Sequence, residues 1–411
     1  MPALEPRLLS LLGLVALALF FENYDQSMLT SALKHIAQDL RVAESQLGTL
    51  TMWVRLGALP AFLLIPFADR IGRRRIFLVS VIGISIGTCA TAASQSPLQF
   101  VLLQMVTRTF LVTGMAVAFV IVTEEMPAEH RGWGIGMLGA LGACGVGMGA
   151  IVFAAIDHLP GGWRSLYAVG IAPLLLLPAF RRGVRETVRF EKHAASREAT
   201  AGLRGWLQPL LGLARLYPGR ALGITTVALL MALGQGVVFQ FTGYFVQTVH
   251  GWRPWQYSTL VVTGGLLGIL GNVVAGSLGD RFGRRRVGFS MMCCFPLFSL
   301  LFYQGPEALV APAWIAFVFC TTAETTIVRA VAAELFPTSQ RGTATGWLAL
   351  VETVGAAAGL GMVSLGTREP GTLAGVASGL GFAVMGAGLL LLALPETSRR
   401  ELEAISDEAS P

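Results

Sequence analysis

Long apolar stretches broken by short charged ones run the whole length of the chain. The apolar runs lie near residues 8–30, 47–67, 76–93, 98–122, 133–156, 164–180, 220–246, 257–277, 287–303, 311–333, 343–365 and 372–394. A helix needs about 20 apolar residues to cross a bilayer. The pattern therefore predicts twelve membrane-spanning helices, six on either side of a polar stretch at 181–219. The expected fold is an all-α membrane protein of two pseudo-symmetric six-helix bundles. The first occupies 1–180, the second 220–411 with a short tail, and 181–219 links them. The first run carries Glu22 and Asp25 and has no small-residue cleavage site, so it reads as a span and not as a removable leader.

The polar breaks repeat. Asp69-Arg70-Ile71-Gly72-Arg73-Arg74-Arg75 returns as Asp280-Arg281-Phe282-Gly283-Arg284-Arg285-Arg286. Glu124-Glu125-Met126-Pro127, closing on Arg131-Gly132, matches Glu334-Leu335-Phe336-Pro337, closing on Arg341-Gly342. Glu186-Thr187 matches Glu396-Thr397. All three lie about half a chain length apart, which marks a duplication. Membrane proteins built from such repeats bind solute between two halves that rock against each other.

Composition agrees with this picture. Hydrophobic residues make up 54% and charged residues 13%, against about a quarter charged in soluble domains. The net charge of +6 is topological and not a nucleic-acid footprint. Most Lys and Arg sit in loops on one side, while the other side holds Lys34, Arg41, Arg164, Arg253 and Arg368. The positive-inside rule then puts both termini in the cytoplasm of a cell membrane. All five cysteines fall inside apolar runs without metal-ligand or disulfide spacing;. All five histidines fall in loops or at helix ends, so no enzyme-like nucleophile–base set or metal cluster is expected within the spans. The glycine-rich runs lack a following Lys-Ser/Thr, so no nucleotide or other cofactor is expected.

The paired Asp-Arg-x-Gly-Arg-Arg loops, the two Glu…Pro…Arg-Gly loops and Pro395-Glu396-Thr397 resemble the major facilitator superfamily over almost the whole chain. The pattern is most similar to the sugar-porter and metabolite:proton symporter branches, whose first-helix motif resembles Phe21-Glu22-Asn23-Tyr24-Asp25. The resemblance implies a monomeric secondary transporter moving a small solute together with protons. The chain departs from the family at Ile65, where a glycine is usual. It lacks the fifth-span glutamine and tenth-span Pro-Trp pair of sugar porters, and the fifth-span antiporter motif of drug exporters. A small polar or anionic metabolite carried by proton symport is the expected function; a proton-coupled exporter and an uncoupled facilitator are the alternatives within transport. A membrane sensor on the same fold would normally carry a signalling domain.

The repeated loop reads as a cytoplasmic gate. Asp69 and Asp280 close their helices, Gly72 and Gly283 permit a tight turn, and Arg70, Arg73, Arg281 and Arg284 can reach carboxylates on the neighbouring bundle. The resemblance implies that Glu124 and Glu334 are their partners, with Arg131 and Arg341 beside them. The plain alternative is that these arginines only enforce topology.

Charges within spans are costly and usually face a cavity or a partner. Counting about 1.5 Å per residue from the loops puts Asp25, Arg55 and Arg108 near one depth. In the sugar-porter branch the residues matching Asp25 and Arg108 form the proton-coupling pair; the competing reading is a static salt bridge. Glu22, one turn before Asp25, is either a second titratable group or merely solvated. Arg55 is either an anion anchor or another partner of Asp25. Glu324, Arg329 and Glu352 form a second set of near-mid-membrane charges, and Gln235, Gln240 and Tyr244 offer hydrogen bonds on the seventh span. These seven side chains are the expected solute cavity, although helix–helix bonding would explain the amides and charges of the second half equally well.

Overall fold

The computed structural model describes residues 5–187, 215, 217–336 and 341–396. Most of the predicted linker, at 188–214, and the tail beyond 396 lie outside the described residues. Among the described residues, twelve helices are long and apolar enough to cross a membrane. We number them spans 1 to 12: Pro6–Ser31, Glu44–Ala68, Arg73–Ala92, Pro97–Glu125, Arg131–Ala154, Trp163–Gly183, Pro218–Thr248, Pro254–Phe282, Arg284–Gln304, Glu307–Glu334, Ala344–Gly366 and Leu373–Ala393. Each covers one predicted apolar run.

Several spans are broken, and the breaks have local causes. Span 2 turns at Gly57 to Pro60, where proline cannot continue the hydrogen-bond ladder;. The carbonyl of Gly57 is then satisfied by the Thr109 hydroxyl of span 4 at 2.6 Å. A side chain on Gly57 would overlap the backbone of Met105, so the close approach that makes this bond possible requires glycine. Freed backbone groups in a bilayer need such internal partners. Span 7 is interrupted at Phe241 and span 12 at Phe382.

The chain forms two compact units. The first comprises Met1–Val42, Trp53–Thr200 and Val246–Thr259; the second comprises Ala43–Met52, Ala201–Phe245 and Leu260–Pro411. In the first unit, span 1 lies along span 5 and span 3 along span 4. Its core is the apolar side chains Leu12, Val15, Leu19, Phe77, Ile121, Leu138 and Phe180. In the second unit, span 7 lies along span 11 and span 9 along span 10, the same two pairings half a chain later. Phe295, Phe302, Trp314 and Phe317 interlock there edge to face or tilted, with centroids 5.0 to 5.9 Å apart.

Hydrogen bonds explain the two exchanged segments. In the first unit, the Gln247 side-chain amide donates to the Ser31 carbonyl at 3.1 Å, and Lys34 donates to the Gln247 carbonyl at 2.7 Å. In the second, the Thr49 backbone N–H donates to the Ser364 hydroxyl at 2.8 Å. The Glu44 carboxylate accepts from the backbone N–H groups of Gly371 and Leu373 at 3.2 and 3.3 Å. An anion at the start of span 12 also complements that helix's dipole.

Candidate functional site

In the first unit the chemistry gathers between spans 1, 3 and 4. Asp25 is 4% exposed, and its Oδ1 accepts from the Thr88 hydroxyl of span 3 at 2.8 Å. Arg108 of span 4 lies within electrostatic reach of both Asp25 and the Tyr167 phenol. Asp25 and Arg108 lie within electrostatic reach of each other, yet they make no contact ion pair among the described residues, where Thr88 holds the carboxylate directly. Thr91, Gln104 and Thr107 continue the buried polar seam, with Gln104 donating to the Thr91 hydroxyl at 3.2 Å.

Glu22 lies one turn along the same face of span 1. It is buried, and neither carboxyl oxygen has a hydrogen-bond partner among the described residues. Its Oε1 rests over Gly114 of span 4, where any Cβ would overlap it. Burial removes the solvated alternative for this residue. Arg55 is half-buried, just ahead of the break in span 2.

In the second unit the Gln235 side-chain amide of span 7 donates to Glu324 Oε1 of span 10. Glu324 is fully buried, and its Oε2 has no hydrogen-bond partner among the described residues. Gln240 Nε2 is likewise unbonded. The remaining expected members differ in burial and partners. Arg329 is exposed and makes no ion pair with Glu324 among the described residues, Glu352 is half-buried on span 11, and Tyr244 hydrogen-bonds Glu44 at the start of span 2. Tyr244 shares a helix face with Gln240, but the interruption at Phe241 leaves its hydroxyl at the end of the span remote from the basic loops.

The repeated loops share a glycine turn and an arginine–glutamate pair in both units. Gly72 and Gly283 adopt φ of 116° and 95°, the left-handed region that glycine occupies without strain. In the first unit Arg73 pairs with Glu124 at 3.0 Å. In the second Arg284 pairs with Glu334 and, at 3.5 Å, with Asp280. Each arginine therefore meets a carboxylate of its own unit. Glu124 and Glu334 are the carboxylates expected to partner these arginines, and the tight glycine turn brings each arginine over its own helix pair. Arg70 and Arg281 instead lie over the rings of Phe67 and Phe282, at 6.0 and 5.2 Å. Arg131 is half-buried at the start of span 5; the side chains of Asp69 and Arg341 lie outside the described residues.

The third repeated motif has a role that its sequence did not reveal. Glu186 accepts the backbone N–H groups of Arg73 and Arg74 at 2.9 and 3.2 Å. Glu396 accepts those of Arg284 and Arg285 at 3.0 and 3.4 Å. Each glutamate satisfies the orphan donors at the start of span 3 or 9 and neutralises part of the helix dipole. Glu186→Gln or Glu396→Gln is expected to lower stability by about 1 kcal/mol each, read as a fall in Tm of the detergent-solubilised protein. The two effects should add, since the sites lie in separate units. Thr88 and Tyr167 were also missed; the hydroxyl stripe Ser80, Thr88 and Thr91 on span 3 was the available signal. Among the described residues, no three His, Cys, Asp or Glu side chains gather as a metal site.

The family model of the Major Facilitator Superfamily matches residues 15–360 and 227–410. Among relatives, the gallate transporter of Pseudomonas putida is 26% identical over 84% of this chain and 82% of its own length. The cis,cis-muconate transport protein of Acinetobacter baylyi is 25% identical over 91% and 90%. The 3-(3-hydroxy-phenyl)propionate transporter of Escherichia coli is 25% identical over 94% of both chains. Among solved structures, a D-xylose-proton symporter superposes with a TM-score of 0.76 at 17% identity, covering 95% of this chain and 98% of that one. At that identity the likeness shows the fold alone.

Proposed function

The chain belongs to the Major Facilitator Superfamily, a multi-pass membrane transporter and not an enzyme, and on that premise we propose that it carries a small organic carboxylate by proton symport. The observation that carries this reading is the buried Asp25, bonded to Thr88 with Arg108 in electrostatic reach and the unpaired Glu22 one turn away. A carboxylate and an arginine at one depth, without a contact pair, leave the arginine available to a second anion. The three relatives described above are named for transport of organic acids, which is the chemistry such an arginine would take.

The cycle follows from charge. While Asp25 is ionised, its field draws Arg108 and competes with a solute carboxylate. Protonation cancels that charge, and Arg108 turns wholly to the solute. Solute and proton thus favour each other's binding, the linkage that symport needs. Glu22 takes or returns the proton one turn along span 1. Arg55 supplies a second positive charge near the same depth, and the basic loops with their Arg73–Glu124 and Arg284–Glu334 pairs hold the cytoplasmic gate. Solute is released when the pairs rearrange as the halves rock.

The test is uptake into proteoliposomes of gallate, cis,cis-muconate, a hexose and a neutral phenol, with and without an imposed inward proton gradient. Gradient-driven accumulation of a carboxylate supports the reading. Equilibration without accumulation would make the protein a facilitator, and accumulation of only the hexose would remove the carboxylate assignment. Arg108→Gln should weaken carboxylate binding by about 2 kcal/mol, the worth of a charge-assisted hydrogen bond, a roughly thirty-fold rise in Kd by titration calorimetry.

A further inference from the structure

A threonine inside a helix commonly returns its hydroxyl to the carbonyl one turn back. In spans 3 and 4, Thr91, Thr107, Thr113 and Thr123 do so at 2.7 to 2.8 Å. Thr88 of span 3 instead donates to Asp25 Oδ1 of span 1 at 2.8 Å. Both residues are buried, so little water competes for that bond. Span 6 fixes the threonine's orientation. A Cβ on Gly170 would overlap Cβ and Cγ2 of Thr88, so the methyl side is seated against that glycine and the hydroxyl turns to span 1.

The duplicated half supplies a comparison within the same chain. Counted from the repeated arginine loops, Ser299 occupies in span 9 the place that Thr88 occupies in span 3. It too is fully buried, and its hydroxyl goes back to the Pro296 carbonyl of its own helix at 3.0 Å. The hydroxyl leaves its own backbone in the unit where a carboxylate receives it. Glu22, the other buried carboxyl of span 1, has no such donor among the described residues.

We propose that Thr88 is a positioning residue of the coupling carboxylate, whose hydroxyl favours the charged form of Asp25 and so sets the pH at which Asp25 releases its proton. The assignment rests on the reading of Asp25 as the proton carrier. A donor binds an ionised carboxylate about twice as strongly as a neutral acid. The bond persists in both states, and the difference in its strength carries the effect. On release the carboxyl O–H bond breaks, the proton passes to the aqueous phase, and the carboxylate stays on the Thr88 hydroxyl. A symporter must release as well as bind. A buried carboxyl without a donor resists ionisation, and the cycle would stall with solute and proton still bound.

The other groups around Asp25 are accounted for. Arg108 of span 4, Tyr167 of span 6 and Tyr24 of span 1 lie within its electrostatic reach, and the Tyr24 hydroxyl is committed to the Leu166 carbonyl at 3.0 Å. Span 3 adds the Cys89 thiol and span 5 the Cys144 thiol. The remaining charges of spans 1, 3, 4, 5 and 6 lie in first or last turns. Lys34, His35 and Asp39 belong to the short helix Leu33–Asp39 that follows span 1.

The experiment uses the full-length protein in detergent, with gallate and cis,cis-muconate binding measured by calorimetry between about pH 4 and about pH 9. Wild-type binding should weaken as pH rises and Asp25 loses its proton. Thr88→Val keeps the shape and removes the donor, and should move that fall upward by about one pH unit, roughly tenfold in proton affinity. Thr88→Ser keeps a hydroxyl and should restore the wild-type profile. In the Asp25→Asn background Thr88→Val should leave the pH profile unchanged. A fall at the wild-type pH in Thr88→Val overturns the proposal, and so does a shift that persists without Asp25. Thr88→Ala, which only removes atoms, repeats the test if valine disturbs packing. An infrared titration decides the matter without any ligand. The protonated-carboxyl band that Asp25→Asn abolishes should titrate about one pH unit higher in Thr88→Val. A band that titrates at the wild-type pH overturns the role of Thr88 and leaves Asp25 as the proton carrier. If Asp25→Asn abolishes no such band, the proton carrier is misassigned and the proposal falls with it. If none of the carboxylates binds, the substrate class fails, and the infrared titration still decides the role of Thr88.

Discussion

Asp25→Asn is expected to abolish gradient-driven accumulation while leaving solute exchange across the membrane intact. Asparagine matches aspartate in volume and keeps an oxygen for the Thr88 hydroxyl, which now donates to Asp25 at 2.8 Å. What it loses is the ability to change charge. Arg108 then feels no competing anion at any pH, so solute binding is no longer linked to a proton. A gradient of one pH unit supplies about 1.4 kcal/mol per proton, a tenfold accumulation. In the variant that ratio should fall to about one, and counterflow of labelled solute should persist. The measurement is uptake into proteoliposomes with an imposed proton gradient, beside exchange at equal pH. Accumulation that survives the substitution would remove Asp25 from coupling and shift attention to Glu22, the adjacent buried carboxyl with no hydrogen-bond partner among the described residues.

Gly145→Val is expected to prevent the first unit from assembling. Span 1 lies along span 5, and any Cβ at Gly145 would overlap the carbonyl oxygen and backbone of Phe20. The obstacle is main chain, not a flexible side chain, so it cannot be relieved by a rotamer change. Overpacking a well-packed core costs about 1–3 kcal/mol, and a backbone collision belongs at or above the top of that range. The same displacement would move Glu22 and Asp25, which follow Phe20 by two and five residues. Loss of the monodisperse size-exclusion peak and of solute binding should accompany it. Gly147, two residues on, has no heavy atom within 4 Å of a built Cβ, so Gly147→Val should behave as wild type. Equal behaviour of the two variants would show that small-residue packing of spans 1 and 5 does not hold the unit together.

The spans were legible because insertion is a local property. Whether about 20 residues are apolar enough for a bilayer depends on those residues alone, so the twelve helices appear where the apolar runs lie. The duplication was legible for the same reason: its three motifs recur at nearly constant spacing, and the structure repeats the glycine turn, the arginine–glutamate pair and the glutamate cap in both units. Rise per residue is fixed as well, so counting from the loops brought Asp25 and Arg108 to one level, and the two lie within electrostatic reach of each other.

Partners were another matter. Glu186 and Glu396 read as markers of duplication until folding placed each over the start of a helix more than a hundred residues earlier in the chain. Tyr244 looked like a neighbour of Gln240, yet its hydroxyl goes to Glu44. Arg329 sat between two carboxylates in sequence and joins neither in a described ion pair. Gln235 and Glu324 gave no local sign of meeting. A helix can turn about its own axis with little change in how deeply each residue sits, and that rotation decides which spans its polar groups face. The sequence by itself determined which segments are long and apolar enough to cross a membrane and how the charges are spaced along them. Only the packing of spans distant in the chain decided which charge meets which, because that choice is made by side-chain fit between helices and not by the hydrophobicity of any one of them.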